Sequence, residues 1–180
     1  MNGLLLKMIP HKCVSTIYDI DLDELRKQGV KAIITDLDNT LVGAKVPFAT
    51  PELAEWLKSA REKGFQVLIV SNNNKSRVSR FADPLHVPFI FKARKPTKGA
   101  FQKALQLLDV RAKEAVVIGD QLLTDIFGGN RAGIYTILVR PINLREDGLF
   151  TRLNRSIERW VFSRLKKKGF LPWEDSHEPS

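Results

Sequence analysis

The 180 residues suffice for one domain with a buried core, and 29 Lys and Arg against 20 Asp and Glu leave a formal charge of +9, which favours anionic ligands: nucleic acid, acidic lipid headgroups or phosphorylated small molecules. One cysteine, Cys13, excludes an internal disulfide and fits a reducing compartment. No stretch reaches the roughly 18 apolar residues of a membrane span, and the short apolar run at Leu4–Leu6 is followed by no secretory cleavage site, so a cytoplasmic protein is expected, with peripheral membrane contact left open.

Asp21 to Gln28 reads as a short helix closed by Gly29. Val30 to Ile34 is the first strand. Residues 43–49 form a loop, and Thr50-Pro51-Glu52 then starts a helix: a hydroxyl cap, a proline at the first helical position and an acid in the first turn. Leu53, Trp56, Leu57 and Ala60 recur at helical spacing, and Gly64 ends the element. Phe65 to Val70 is the second strand. Ser71 to Asn74 is a polar turn into a helix over Lys75 to Ala82, followed by a short strand at Val87–Phe91 weakened by Pro88. Thr97 to Leu108 is a helix, Ala115 to Gly119 the fourth strand, Leu122 to Asn130 a helix, and Ile134 to Val139 the fifth strand after a turn at Gly133.

The strands are nearly continuous apolar runs separated by helices. That pattern predicts an α/β fold of three layers around a largely parallel five-stranded sheet, within one domain spanning 1–180 and a core at about 30–139. In such a fold the ligand site lies beyond the carboxyl ends of the strands. Polar residues stand there after three strands: Asp36 and Asp38, Ser71, and Asp120.

Asp36 is the candidate nucleophile, since a carboxylate held in line with a charge-neutralised phosphorus can form an aspartyl-phosphate. Asp38 would protonate the leaving oxygen and then activate water. Asp36, Asp38 and Asp120 are candidate oxygen ligands for Mg²⁺. Asp125 could bind the ion, orient its water or hold Lys95. Thr40 would fix the Asp38 loop. The Ser71 hydroxyl would bind a phosphoryl oxygen or cap the next helix, and Asn72 and Asn73 would reach the substrate or merely form the turn. Lys95, ahead of Pro96, would neutralise both the nucleophile and the transferring group, whereas Lys92 and Arg94 belong to a solvated surface. His11, His86 and His177 lack metal-ligand spacing, and Gly128-Gly129 lacks the Lys and Ser/Thr of a phosphate loop.

Taken together, Asp36-Leu37-Asp38-Asn39-Thr40, Ser71, Lys95-Pro96 and Gly119-Asp120 with Asp125 resemble the four motifs of the haloacid-dehalogenase-like superfamily. Ser71-Asn72-Asn73, Gly119 to Asp125 and Asn130-Arg131-Ala132-Gly133 are similar to its small YqeG-like, type IIIA group, related to phosphatidylglycerophosphate phosphatases. The resemblance implies Mg²⁺-dependent hydrolysis of a phosphate monoester, with Asp36 as nucleophile, Asp38 as acid/base, Ser71 and Lys95 on phosphate and Asp120 on the metal. The gaps between Asp38 and Ser71 and between Ser71 and Lys95 hold no cap domain, so an open site is expected.

Arg152 to Lys168 carries seven basic residues and one acid, with Leu153, Ile157, Trp160, Val161 and Leu165 at helical spacing. This basic amphipathic helix, at about 150–170, either packs on the sheet or meets an anionic membrane. The leading expectation is dephosphorylation of phosphatidylglycerophosphate. Two alternatives stand beside it: a phosphatase of soluble sugar, nucleotide or nucleic-acid-end phosphates, and a noncatalytic RNA- or ribosome-associated protein.

Overall fold

The computed structural model describes residues 3–143 together with Val161, Ser163, Arg164 and Gly169. Six strands form one sheet: β1 (Lys12–Val14), β2 (Ala32–Thr35), β3 (Gln66–Val70), β4 (Phe89–Ile90), β5 (Ala115–Gly119) and β6 (Tyr135–Val139). They lie in the order β1-β6-β5-β2-β3-β4, and every neighbouring pair is parallel. The helices are α1 (Gly3–Leu6), α2 (Leu22–Lys27), α3 (Pro51–Glu62), α4 (Lys75–Ala82), α5 (Lys98–Leu107) and α6 (Phe127–Arg131).

Strand alternation divides the core between the sheet's two faces. Ile33, Val67, Ile69 and Ile118 pack with Leu53, Leu57, Val78 and Phe81 from α3 and α4. Ile34, Leu68, Val70 and Val117 pack with Phe101 and Ala104 from α5. Burial on both faces explains why the strands read as apolar runs.

Local signals set the helix starts. Thr50 accepts from the Leu53 N–H with Pro51 at the first position, as its sequence predicts. Asn74 caps α4 by accepting from the Arg77 N–H at 2.9 Å, so Ser71 is not that helix's cap. Gly29 and Gly64, at φ of 84° and 83°, take the left-handed turns that end α2 and α3.

Three features differ from the sequence reading. The sheet has a sixth strand, β1, whose three residues carry no alternation to reveal it. It is held from outside: the Thr136 N–H donates to His11 Nδ1 at 3.1 Å, and Asn130 Nδ2 donates to the Lys7 and Ile9 carbonyls. The third expected strand shrinks to Phe89–Ile90 at the sheet edge. The expected helix over Leu122 to Asn130 begins as a π-helical turn, Leu122–Ile126, before α6.

Most of the basic segment at 150–170 lies outside the described residues. Val161 is buried with Met8, Leu122, Ile126 and Leu138, so at this residue the segment packs on the core. No cap insertion interrupts the described residues: α3 and β3 fill the interval from Asp38 to Ser71, and α4 and β4 fill that from Ser71 to Lys95.

Candidate active site

Strand register brings the distant acids together. Thr35 of β2 is paired with Ile69 on one side and Ile118 on the other, and the Asp36 N–H continues the ladder to the Ile118 carbonyl at 2.9 Å. One step beyond the strand ends, Asp36 therefore stands between Val70-Ser71 and Gly119-Asp120. Carboxylate oxygens of Asp36, Asp120 and Asp125 all lie within 4.8 Å of one another, and all three residues are buried.

Asp125 reaches this point through the π-helical turn. Its own N–H donates to the Gln121 carbonyl, while its Oδ2 accepts from the Gln121 N–H at 3.2 Å. The side chain lies against Gly119, where an added Cβ would stand 2.3 Å from the Cβ and Cγ of Asp125. Gly119 thus makes room for a neighbouring aspartate. Gly128 and Gly129 serve packing in the same way, with added Cβ atoms 2.4 Å from Phe101 and 2.7 Å from Thr136.

Lys95 ties the cluster. Its Nζ donates to Asp36 Oδ1 and Asp125 Oδ1, each at 2.6 Å, with the lysine side chain 3% exposed. Burial acts to lower the Lys95 ammonium, but Asp125 and Asp36 outweigh it and hold the pKa above its ordinary value. Burial pushes the Asp36 carboxyl up to about 8; Lys95 opposes the shift, and Asp125 and Asp120 add to it. With all three carboxylates ionised against one ammonium, the desolvated centre would carry a formal charge of −2, which is why Asp36 holds its proton until a cation offsets that charge. An all-oxygen set with this deficit suits a hard divalent cation.

Asn72 grips the backbone of Lys95 from both sides: its Oδ1 accepts from the Lys95 N–H at 2.7 Å, and its Nδ2 donates to the Lys95 carbonyl at 3.2 Å. The Asn72 amide, expected at the substrate, is engaged in placing the lysine. Thr40 donates to Asp120 Oδ1 at 3.0 Å, joining the loop after β2 to the loop after β5. Ser71 is 2% exposed at the end of β3, and its Oγ accepts from the Asn73 N–H at 3.1 Å. Lys92 and Arg94 are exposed, as expected of a solvated surface.

The Asp38 carboxylate stands outside the three-carboxylate group. Arg77 donates to its Oδ1 from Nε at 3.0 Å and from Nη2 at 2.8 Å, and Asn73 Nδ2 donates to its Oδ2 at 3.1 Å. Asn39, directly after Asp38, has φ of 65° and turns the chain out of the strand direction; its side chain is gripped by Asn143, whose N–H donates to Asn39 Oδ1. Sequence reading missed Arg77. The available signal was its place in the first turn of a helix capped by Asn74, directly after a strand that ends in the site.

A family model for haloacid dehalogenase-like hydrolases matches residues 16–133. The chain is 50% identical to a Bacillus subtilis protein called "Probable phosphatase YqeG", over 93% of this chain and 96% of that one. It is 24% identical to the phosphatidylglycerophosphate phosphatase 1 of Arabidopsis thaliana over 94% of this chain, and spans 51% of that protein's length. The fold matches the cobalt-bound deoxy-D-mannose-octulosonate 8-phosphate phosphatase of Haemophilus influenzae with a TM-score of 0.53 at 16% identity, over 75% of this chain and 91% of that one. The chain belongs to the haloacid dehalogenase-like hydrolases and carries the carboxylate centre of a phosphatase.

Proposed function

We propose that this protein is a Mg²⁺-dependent phosphomonoesterase that removes the terminal phosphate of phosphatidylglycerophosphate through an aspartyl-phosphate on Asp36. The reading is carried by the buried group of Asp36, Asp120 and Asp125 closed by Lys95. Asp36, Asp120 and Asp125 would hold the cation, which supplies neutralisation of phosphoryl charge.

Lys95 takes Asp36 Oδ1, and Oδ2 is the oxygen that attacks phosphorus. As the P–O bond to the leaving group breaks, Asp38 donates a proton to the departing oxygen. Asp38 then accepts a proton from the water that cleaves the acyl phosphate, releasing inorganic phosphate and restoring Asp36. Ser71 Oγ, at the end of β3, binds a nonbridging phosphoryl oxygen, and Lys95 offsets the charge on the transferring group.

The lipid substrate draws support from the mouth of the site as well as from the relatives. Val46, Phe48, Phe91 and Ile142 are large, exposed apolar residues, and all lie in loops at the carboxyl ends of strands or at the start of α3. Three hydrogen bonds tie these loops to the site: Arg77 to the Gly43 carbonyl, the Lys92 N–H to the Asn73 carbonyl, and the Ile142 N–H to the Asn39 carbonyl. Segments 43–50, 71–77, 91–98 and 139–143 contain no acid and hold Lys45, Lys75, Arg77, Lys92, Arg94, Lys95, Lys98 and Arg140. An open, basic and partly apolar rim suits a phosphate carried at an anionic bilayer surface, which the protein would approach peripherally from the cytoplasm. Among the described residues no helix is long and apolar enough to cross a membrane.

The test is phosphate release from phosphatidylglycerophosphate in mixed micelles beside soluble sugar, nucleotide and nucleic-acid-end phosphates, each with and without Mg²⁺. The lipid is expected to turn over fastest, with all activity lost in Asp36→Asn. Faster hydrolysis of a soluble ester overturns the substrate, and activity surviving in Asp36→Asn overturns the nucleophile.

A further inference from the structure

Two acids stand two residues apart, and each has its own cation. Lys95 draws Asp36 toward Asp120 and Asp125, while Arg77 draws Asp38 toward the first turn of α4. Nε and Nη2 of Arg77 close on Asp38 Oδ1, Asn73 occupies Oδ2, and Arg77 Nη2 also reaches the Gly43 carbonyl at 3.5 Å. Asn74 fixes the arginine's own main chain by capping its N–H. The pair is largely buried, with side chains 14% and 20% exposed. Arg77 Nη1 is buried without a hydrogen-bond partner among the described residues. Buried donors left unmatched are uncommon and call for a reason why the side chain is held in place.

An acid that shuttles protons must stay free of the cation. A carboxylate drawn into the centre of Asp36, Asp120 and Asp125 becomes one more ligand and loses its access to the leaving group. Arg77 supplies the competing attraction, and its planar fork fixes direction as well as distance.

We propose that Arg77 is a positioning residue that acts through Asp38, holding that carboxylate outside the cation centre and aimed for proton transfer to the leaving group. The proposal rests on the acid/base role assigned to Asp38 above. Arg77 does not itself act on the phosphoryl group, so its removal weakens only the proton transfers that Asp38 performs, of which kcat/KM registers the one to the leaving group.

The experiment measures kcat/KM with an aryl phosphate, whose phenolate departs unaided, and with glycerol phosphate, whose alkoxide needs a proton. Because kcat/KM ends at formation of the acyl phosphate and does not register the later water step, Asp38→Ala is expected to lose about 10²-fold or more in kcat/KM on the alkyl ester and far less on the aryl ester, while kcat falls on both. Arg77→Ala should repeat that pattern, with about 10-fold lost on the alkyl ester and less than about 3-fold on the aryl ester. The double variant should be no slower than Asp38→Ala alone, because a residue acting through Asp38 has nothing further to remove. Arg77→Lys, which keeps the charge but loses the fork, should recover part of the alkyl activity and remain folded by circular dichroism.

Equal losses on both esters in Arg77→Ala overturn the proposal, as does an Arg77→Ala loss that adds in full to that of Asp38→Ala. If Asp38→Ala itself lowers kcat/KM equally on both esters, the proton role of Asp38 fails, and that of Arg77 fails with it. A normal Asp38 pattern beside a flat Arg77 pattern overturns the positioning role alone.

Discussion

The substitution Gly119→Ala adds one methyl group and tests the geometry of the whole centre. The new Cβ would stand 2.3 Å from Asp125 Cβ and Cγ and 2.5 Å from its Oδ2. Relaxed carbon contacts lie at about 3.5–4.0 Å, so the two groups must part by about 1 Å or more. Asp125 has little room to retreat: it is 1% exposed, its Oδ1 is held by Lys95 at 2.6 Å and its Oδ2 by the Gln121 N–H at 3.2 Å. Overpacking of this kind costs about 1–3 kcal/mol, a fall in Tm of about 3–10 °C for a domain of this size. A displacement of about 1 Å at a reacting centre lowers rate by about 10²-fold. The assays are thermal melting, Mg²⁺ titration by calorimetry, and kcat/KM on an aryl phosphate. The expected variant is folded, binds Mg²⁺ about 10–100-fold more weakly and loses about 10² in kcat/KM. A folded variant with unchanged metal affinity and rate would show that Asp125 does not need this space, and the proposed centre would be wrong.

Lys95→Met removes the only ammonium seen in the group of Asp36, Asp120 and Asp125 among the described residues. Breaking a buried pair costs about 3–5 kcal/mol, so the variant should melt far below the parent without metal and recover part of that loss in Mg²⁺; a melt unaffected in both conditions rejects the charge argument. The Asp36 carboxyl sits at about 8 in the metal-free protein against an ordinary 3.8, so between these values the folded state holds a proton that the unfolded chain has released. The stability from this group is therefore complete below pH of about 4 and declines as pH rises toward 8, by at most about 1.4 kcal/mol per pH unit. Denaturant titrations should show that decline in chelator and lose it in Asp36→Asn; a slope identical in the two proteins excludes Asp36 as its source. Asn72→Ala releases the Lys95 backbone at two points, and should lower kcat by about 10²-fold for a stability cost of about 1–3 kcal/mol; full activity in a folded variant would remove the positioning role of Asn72.

Much of the site was legible in the chain because strands buried on both faces are written as apolar runs, and the residue after each run sits at one edge of the sheet. Asp36, Ser71 and Asp120 were located by that rule and Lys95 by the proline that follows it, and Thr50-Pro51 announced α3 by capping chemistry that acts within a few residues. Strand β1 was not legible, since three residues carry too little pattern and its place is decided by bonds from Thr136 and Asn130, more than 120 residues away. The π-helical turn was also hidden, because its registry depends on fitting Asp125 against Gly119 and α6 against Phe101.

By itself, then, the sequence determined which acids reach the ends of the strands, because local hydrophobic patterning and turn chemistry are short-range properties of the chain. The tertiary structure alone decided how those acids are divided. Asp36 and Asp38 are near neighbours in sequence with equivalent side chains, and what distinguishes them is that Lys95 lies 59 positions from one and Arg77 lies 39 positions from the other. Electrostatic attraction depends on distance in space, and that distance exists only once β2, β3 and β5 have paired.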